Sequence, residues 1–159
     1  MRTLVAGIGN IFNRDDGFGV EVAQRLVAAG MPDDVHVEDY GIRGVHLAIE
    51  LLEGYDLLVL IDAIAGEDEP GTITVLEPDA ATIGNDSGPL DAHSMNPQAV
   101  LHMVGEMGGR IGRVLVVGCQ PDAVDEGIGL SADVAAAVEP AVRIVQDLVA
   151  ERTSPCVVS

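Results

Sequence analysis

Leu57-Leu58-Val59-Leu60-Ile61-Asp62 is the stretch that decides the fold of this chain. Five apolar residues run without alternation and then stop at an acid. A strand with one wet face alternates, whereas an unbroken run is expected of a central parallel strand covered on both faces. A strand is therefore expected over 56–61, with Asp62 at its mouth. Similar runs lie at Thr3–Ile8 and Val114–Gly118, and Val35–Asp39, with its apolar residues at 35 and 37, reads as a further strand.

Between these runs the apolar spacing becomes helical. Gly17–Ala29 places Val20, Ala23 and Val27 on one face and Glu21 and Arg25 on another, and Gly30 with Pro32 ends it. Gly44–Glu53 reads as a helix burying Leu47, Leu51 and Leu52. Pro97–Gly105 is a third, ending near Gly108-Gly109. Ala132–Glu151 is a fourth, capped by Ser131 and carrying Pro140, which is expected to kink it or mark an irregularity. Thr72–Leu76 alternates behind the turn Pro70-Gly71 and reads as an edge strand, antiparallel to its neighbour. Glu77–His93 is a long polar loop. The expected class is a three-layer α/β/α sandwich around a mostly parallel, roughly five-stranded sheet. One domain spans 1–152, and 153–159 is a frayed tail.

Composition narrows the function. Of 159 residues, 48% are hydrophobic but only 3% aromatic, with no Trp, so Val, Leu, Ile and Ala must build the core. The formal net charge of −18 argues against nucleic acid and anionic membrane, both of which need Lys and Arg to neutralise phosphates. All eight basic residues are Arg. Without lysine there is no Schiff-base chemistry, no Walker phosphate loop and no Ser–Lys pair. Cys119 and Cys156 form no CxxC, consistent with a reduced, cytoplasmic setting. No secretory signal and no apolar run of membrane-spanning length is apparent.

The acids and one histidine carry the chemistry. Asp16, Asp39 and Asp62 each follow or close an apolar run, and His93 stands in Leu90-Asp-Ala-His-Ser-Met-Asn-Pro97 ahead of a helix. If the runs are parallel strands, these side chains gather at the carboxyl edge of one sheet, where open α/β sheets bind ligands. Carboxylates with an imidazole suit a divalent metal. The pair Asp15-Asp16 has a plainer reading, because an acid at a helix start caps it. One cap suffices, however, which leaves the second acid free to face the cleft. Gly7-Ile-Gly-Asn10 begins like a dinucleotide fingerprint, but Phe12 occupies the third glycine position and the two acids would repel a pyrophosphate. No GxSxG elbow is present, and no histidine is tied to Cys119 by motif. His36, His46 and His102 read as surface or packing residues.

Taken in order, the segments resemble the hydrogenase maturation endopeptidases. They are Gly7-Ile-Gly-Asn10 with Asp15-Asp16-Gly17-Phe18-Gly19-Val20, then Asp39-Tyr-Gly-Ile-Arg-Gly44, and the strand ending Asp62-Ala63. The His93 loop follows, and then Val117-Gly118-Cys-Gln-Pro121 with Gly129-Leu-Ser131. The resemblance implies an endopeptidase that removes a C-terminal extension from the precursor of a nickel–iron hydrogenase large subunit. It implies that Asp16, Asp62 and His93 contact a metal, understood to be nickel supplied by the substrate, and that Asp39 is a further functional residue. No nucleotide or flavin is expected. Many members carry Glu where this chain has Asp16, which keeps the carboxylate and shortens its reach. Two other readings share the scaffold: a non-catalytic, nickel-dependent assembly chaperone, and a flavodoxin-like electron carrier. The scarcity of aromatics for stacking a flavin weighs against the second.

Overall fold

The structure, a computed structural model, describes residues 2–77, 97–109 and 112–152. The polar loop beyond Glu77, His93 and the C-terminal tail lie outside those residues. Five strands form one sheet: β1 (Thr3–Ile8), β2 (Val35–Gly41), β3 (Leu57–Ala63), β4 (Ile73–Leu76) and β5 (Arg113–Cys119). Their spatial order is β2-β1-β3-β5-β4, and the helices are α1 (Phe18–Ala29), α2 (Gly44–Leu51), α3 (Pro97–Glu106) and α4 (Ala132–Arg152). β1, β2, β3 and β5 are mutually parallel, and β4 runs antiparallel to β5 at the edge, as expected for Thr72–Leu76.

The unbroken apolar run of β3 is explained by what covers it. Val59 and Ile61 pack on one face, with Val5 and Val117, against Phe18, Val22 and Leu26 of α1 and Val138 and Val145 of α4. Leu58 and Leu60 pack on the other, with Leu4 and Val116, against Leu47 and Leu51 of α2 and Val100 and Val104 of α3. Successive side chains alternate between two dry layers, so neither parity can be polar.

Two expected buried residues, Val27 and Leu52, are exposed. Of the face expected on α1, Val20 and Ala23 are buried and Val27 is exposed, and the buried surface of the helix also takes in Phe18, Val22 and Leu26. Leu52 lies just past the end of α2 and is exposed. α4 is one continuous helix through Pro140, which is exposed.

The connections fix where a ligand can sit. From β1 the chain moves to β2 on one side and then to β3 on the other. The crevice outside the carboxyl ends of β1 and β3 is therefore the point at which the strand order reverses.

Candidate functional site at the carboxyl edge

Glycines bring the chain to this crevice. A Cβ on Gly19, in the first turn of α1, would lie 2.0 Å from the Ile61 carbonyl oxygen and 2.6 Å from that of Ile8. One on Gly7 would lie 2.1 Å from the Gly19 carbonyl oxygen. α1 thus starts in direct backbone contact with the ends of β1 and β3. The glycine pattern that begins like a phosphate fingerprint is explained by this close helix–sheet approach. Gly9 has φ +130°, and a Cβ there would meet the Asp16 carbonyl oxygen at 1.9 Å and Asp62 Oδ1 at 3.5 Å. That single position brings the Asp16 turn and the Asp62 side chain together.

Asp62 lies inside β3, which runs on to Ala63 instead of stopping at Ile61 as the apolar run suggests. It pairs with Gly118 in the β5 ladder and is 4% exposed. Among the described residues its carboxylate accepts one hydrogen bond, from Ala63 N to Oδ1 at 2.8 Å. Burial and then the nearby charge of Asp16 push it well above the usual carboxylate range, and the bond from Ala63 offsets only part of this. Asp16, half-buried on the short 3₁₀ turn Arg14–Gly17, accepts a hydrogen bond from Asn10 N at 2.9 Å. Neither Asp15 nor Asp16 caps α1. Gly17 is the N-cap residue, with no side-chain cap bond, because the acids sit one turn earlier.

Asp15 does something the sequence reading missed. Fully buried, its carboxylate accepts bonds from Asp122 N, Ala123 N, Ser131 N and Ser131 Oγ, all at 2.7–2.8 Å. Burial alone would raise its pKa, but these bonds together lower it below the usual value. Asp15 is therefore an ionised clamp joining the 3₁₀ turn to the loop after β5. The hydroxyl of Ser131, expected to serve α4, is used here, while Ser131 O accepts the first helical bond from Ala135 N. The signal that pointed to it was the presence of two acids where a cap needs one.

Asp39 is directed elsewhere. It is level with Gly7 in the β1–β2 ladder, and its Oδ2 accepts from Gln24 Nε2 of α1 at 3.0 Å. Arg43 secures the turn that follows by donating to the carbonyls of Asp39 and Tyr40. The structure therefore brings Asp16 and Asp62 together and pairs Asp39 with α1. Among the described residues no three His, Cys, Asp or Glu side chains converge as a metal-binding set. Cys119 is buried at the end of β5, and burial followed by the Asp15 charge pushes its thiol up to about 11. His36 and His46 are exposed, and His102 pairs with Glu106 at 3.0 Å.

Comparison with known proteins decides the family. The hydrogenase maturation protease model of the HycI type matches residues 20–148. The chain belongs to the hydrogenase maturation protease family. Its sequence is 36% identical over 151 residues to the hydrogenase expression/formation protein HupD of Rhizobium leguminosarum, covering 91% of this chain and 74% of that protein. It is 32% identical over 145 residues to the hydrogenase 2 maturation protease of Escherichia coli, covering 89% and 86%. The fold of this family member superposes on the hydrogenase maturating endopeptidase HybD from E. coli with a TM-score of 0.78 at 28% identity, covering 96% of this chain and 94% of that one. A hydrogenase 2 maturation peptidase from a Thaumarchaeota archaeon gives 0.74 at 29% identity, covering 94% and 99%. The maturation protease is thus a peptidase by family. Its α/β architecture is that of solved members, and among its described residues no helix is long and apolar enough to cross a membrane.

Proposed function

We propose that this protease is a cytoplasmic endopeptidase that removes a C-terminal extension from the nickel-loaded precursor of a nickel–iron hydrogenase large subunit. In this reading Asp16 and Asp62 act as the carboxylates that meet the substrate's nickel, and His93 supplies an imidazole. Asp39, held by Gln24, supports the β2 edge of the cleft. The observation that carries the proposal is the pair itself. A buried carboxylate with one hydrogen bond sits beside a second carboxylate at the switch point of the sheet. Burying charge without a counter-charge is costly, and an incoming cation would relieve both burial and mutual repulsion.

Carboxylate oxygens and an imidazole nitrogen suit a borderline divalent ion, and a partial donor set leaves positions for the substrate's own ligands. The pair is incomplete without the substrate, which would make cleavage depend on correct nickel loading. Nickel bound there could polarise the scissile carbonyl or lower the pKa of an attacking water.

Intact-mass measurement of a large-subunit precursor co-expressed with this protein, with and without nickel, tests the proposal. The expected result is loss of one C-terminal fragment only when both protein and nickel are present. Binding of the precursor with no change in mass would replace the peptidase reading with that of an assembly chaperone.

A further inference from the structure

Two loops at the carboxyl edge are stitched together. Gly127 N donates to Phe12 O at 2.8 Å, Arg14 N to Gly127 O at 2.9 Å, and Asp15 N to Ala123 O at 2.9 Å. On these joined loops Phe12 is 59% exposed, Val124 53% and Ile128 81%. A single exposed apolar side chain needs no explanation. Three on two hydrogen-bonded loops, directly beside the turn that carries Asp16, form a patch of the kind that marks a contact surface.

The patch is bordered by acids. Asp125 and Glu126 are exposed on the second loop, and Glu67-Asp68-Glu69 are exposed on the loop after β3, which is tied to Gln120 through Gly71 N at 2.8 Å. The basic side chain in these loops is Arg14, which pairs with Asp125 at 3.5 Å. The occupant that complements an apolar centre with an acidic border is a polypeptide carrying apolar side chains flanked by Lys or Arg.

We propose that the joined loops bearing Phe12, Val124 and Ile128, with their acidic border, are the docking surface for an apolar and basic segment of the precursor that lies alongside the bond to be cut. This rests on the endopeptidase reading above and adds the surface that selects the substrate. Docking places binding energy outside the carboxylate pair, so weakening it raises KM while leaving chemistry intact once the site is filled.

The test is steady-state cleavage and equilibrium binding of nickel-loaded precursor by the full protein. Phe12→Ser combined with Ile128→Ser is expected to raise KM and Kd at least about tenfold, with kcat changed by no more than about twofold. Both side chains are exposed, so the melting temperature should hold. Ile49→Ser, at a comparably exposed apolar residue on α2, is the control and should leave both constants unchanged. Raising salt from about 50 to about 500 mM should weaken binding, as should Asp125→Asn with Glu126→Gln. Unchanged KM and Kd in the double variant, or an equal loss in Ile49→Ser, would overturn the proposal. So would failure of the wild-type protein to bind precursor. Binding that the double variant loses, on a precursor that is never cut, would uphold the docking surface and refute the endopeptidase reading instead.

Discussion

Asp15 and Ser131, 116 residues apart, are joined twice: Ser131 N donates to Oδ1 at 2.7 Å and Ser131 Oγ to Oδ2 at 2.8 Å. With the bonds from Asp122 and Ala123, every donor around this carboxylate points inward. Asp15→Asn turns an NH₂ group toward amide donors and should cost about 3 kcal/mol, measured by denaturant unfolding. Ser131→Ala removes one bond of four and should cost about 1 kcal/mol. Because the folded-state pKa of Asp15 is depressed, its contribution is full at neutral pH and is lost as pH falls below 3.8 through the lower folded value. An Asp15→Asn protein as stable as wild type at neutral pH would show that the clamp holds nothing.

Asp62 has the opposite sign. Its folded-state pKa is raised, so the native state binds the proton more tightly than the unfolded chain does. Stability falls as pH rises from 3.8 through the raised value and stays low above it. Asp62→Asn keeps the bond from Ala63 N and removes the buried charge. At pH 7 it should melt higher than wild type, with the gap closing toward pH 4, while processing is lost. Such a trade is characteristic of a residue kept for function. A variant that melts lower at every pH would contradict this account of its environment.

Two glycine-to-alanine substitutions separate backbone contact from helix propensity. Gly19→Ala forces a methyl into the carbonyls of Ile61 and Ile8 and should cost about 3 kcal/mol or more, with loss of processing as the Asp16 turn moves. Gly105→Ala, on α3 with nothing within 4 Å of the added carbon, should stabilise by up to about 1 kcal/mol. Thermal melts of both read the difference.

Cys119 should be a bystander. Its thiol is buried and held up to about 11, so little thiolate exists near neutral pH. Alkylation of this residue in the native protein, followed by peptide mass mapping, should be slow and should accelerate on unfolding. Cys119→Ser should retain processing. Complete inactivation with an intact fold would reopen a thiol mechanism.

The architecture was legible in the sequence because burial on both faces forces the continuous runs of β1, β3 and β5, and because Pro70-Gly71 precedes the alternating β4. Helix faces were less so. Val27 and Leu52 fit an apolar period, yet Val27 lies outside the buried face formed by Phe18, Val22 and Leu26, and Leu52 lies past the end of α2 at Leu51, so both are in solvent. The acids were placed at the right edge, but their roles depend on contacts that sequence spacing does not encode. Asp15 finds its partners more than a hundred residues away, and Asp39 is held by Gln24 on a helix of the opposite layer from α2. Asp16 and Asp62 come together because Gly9 adopts a positive φ and admits both, a geometry that the letters Gly-Ile-Gly-Asn suggest only as a turn.

The central claim is that the carboxylates of Asp16 and Asp62 process the nickel-loaded precursor, and the sharpest test is the intact mass of that precursor co-expressed with Asp16→Asn. Asparagine keeps the size of the side chain and an oxygen to accept from Asn10 N, so only the charge is removed. The account predicts a precursor of full mass beside Asp16→Asn and a shortened one beside Asp16→Glu, which restores the charge with one more methylene. A fully shortened precursor beside Asp16→Asn would contradict it.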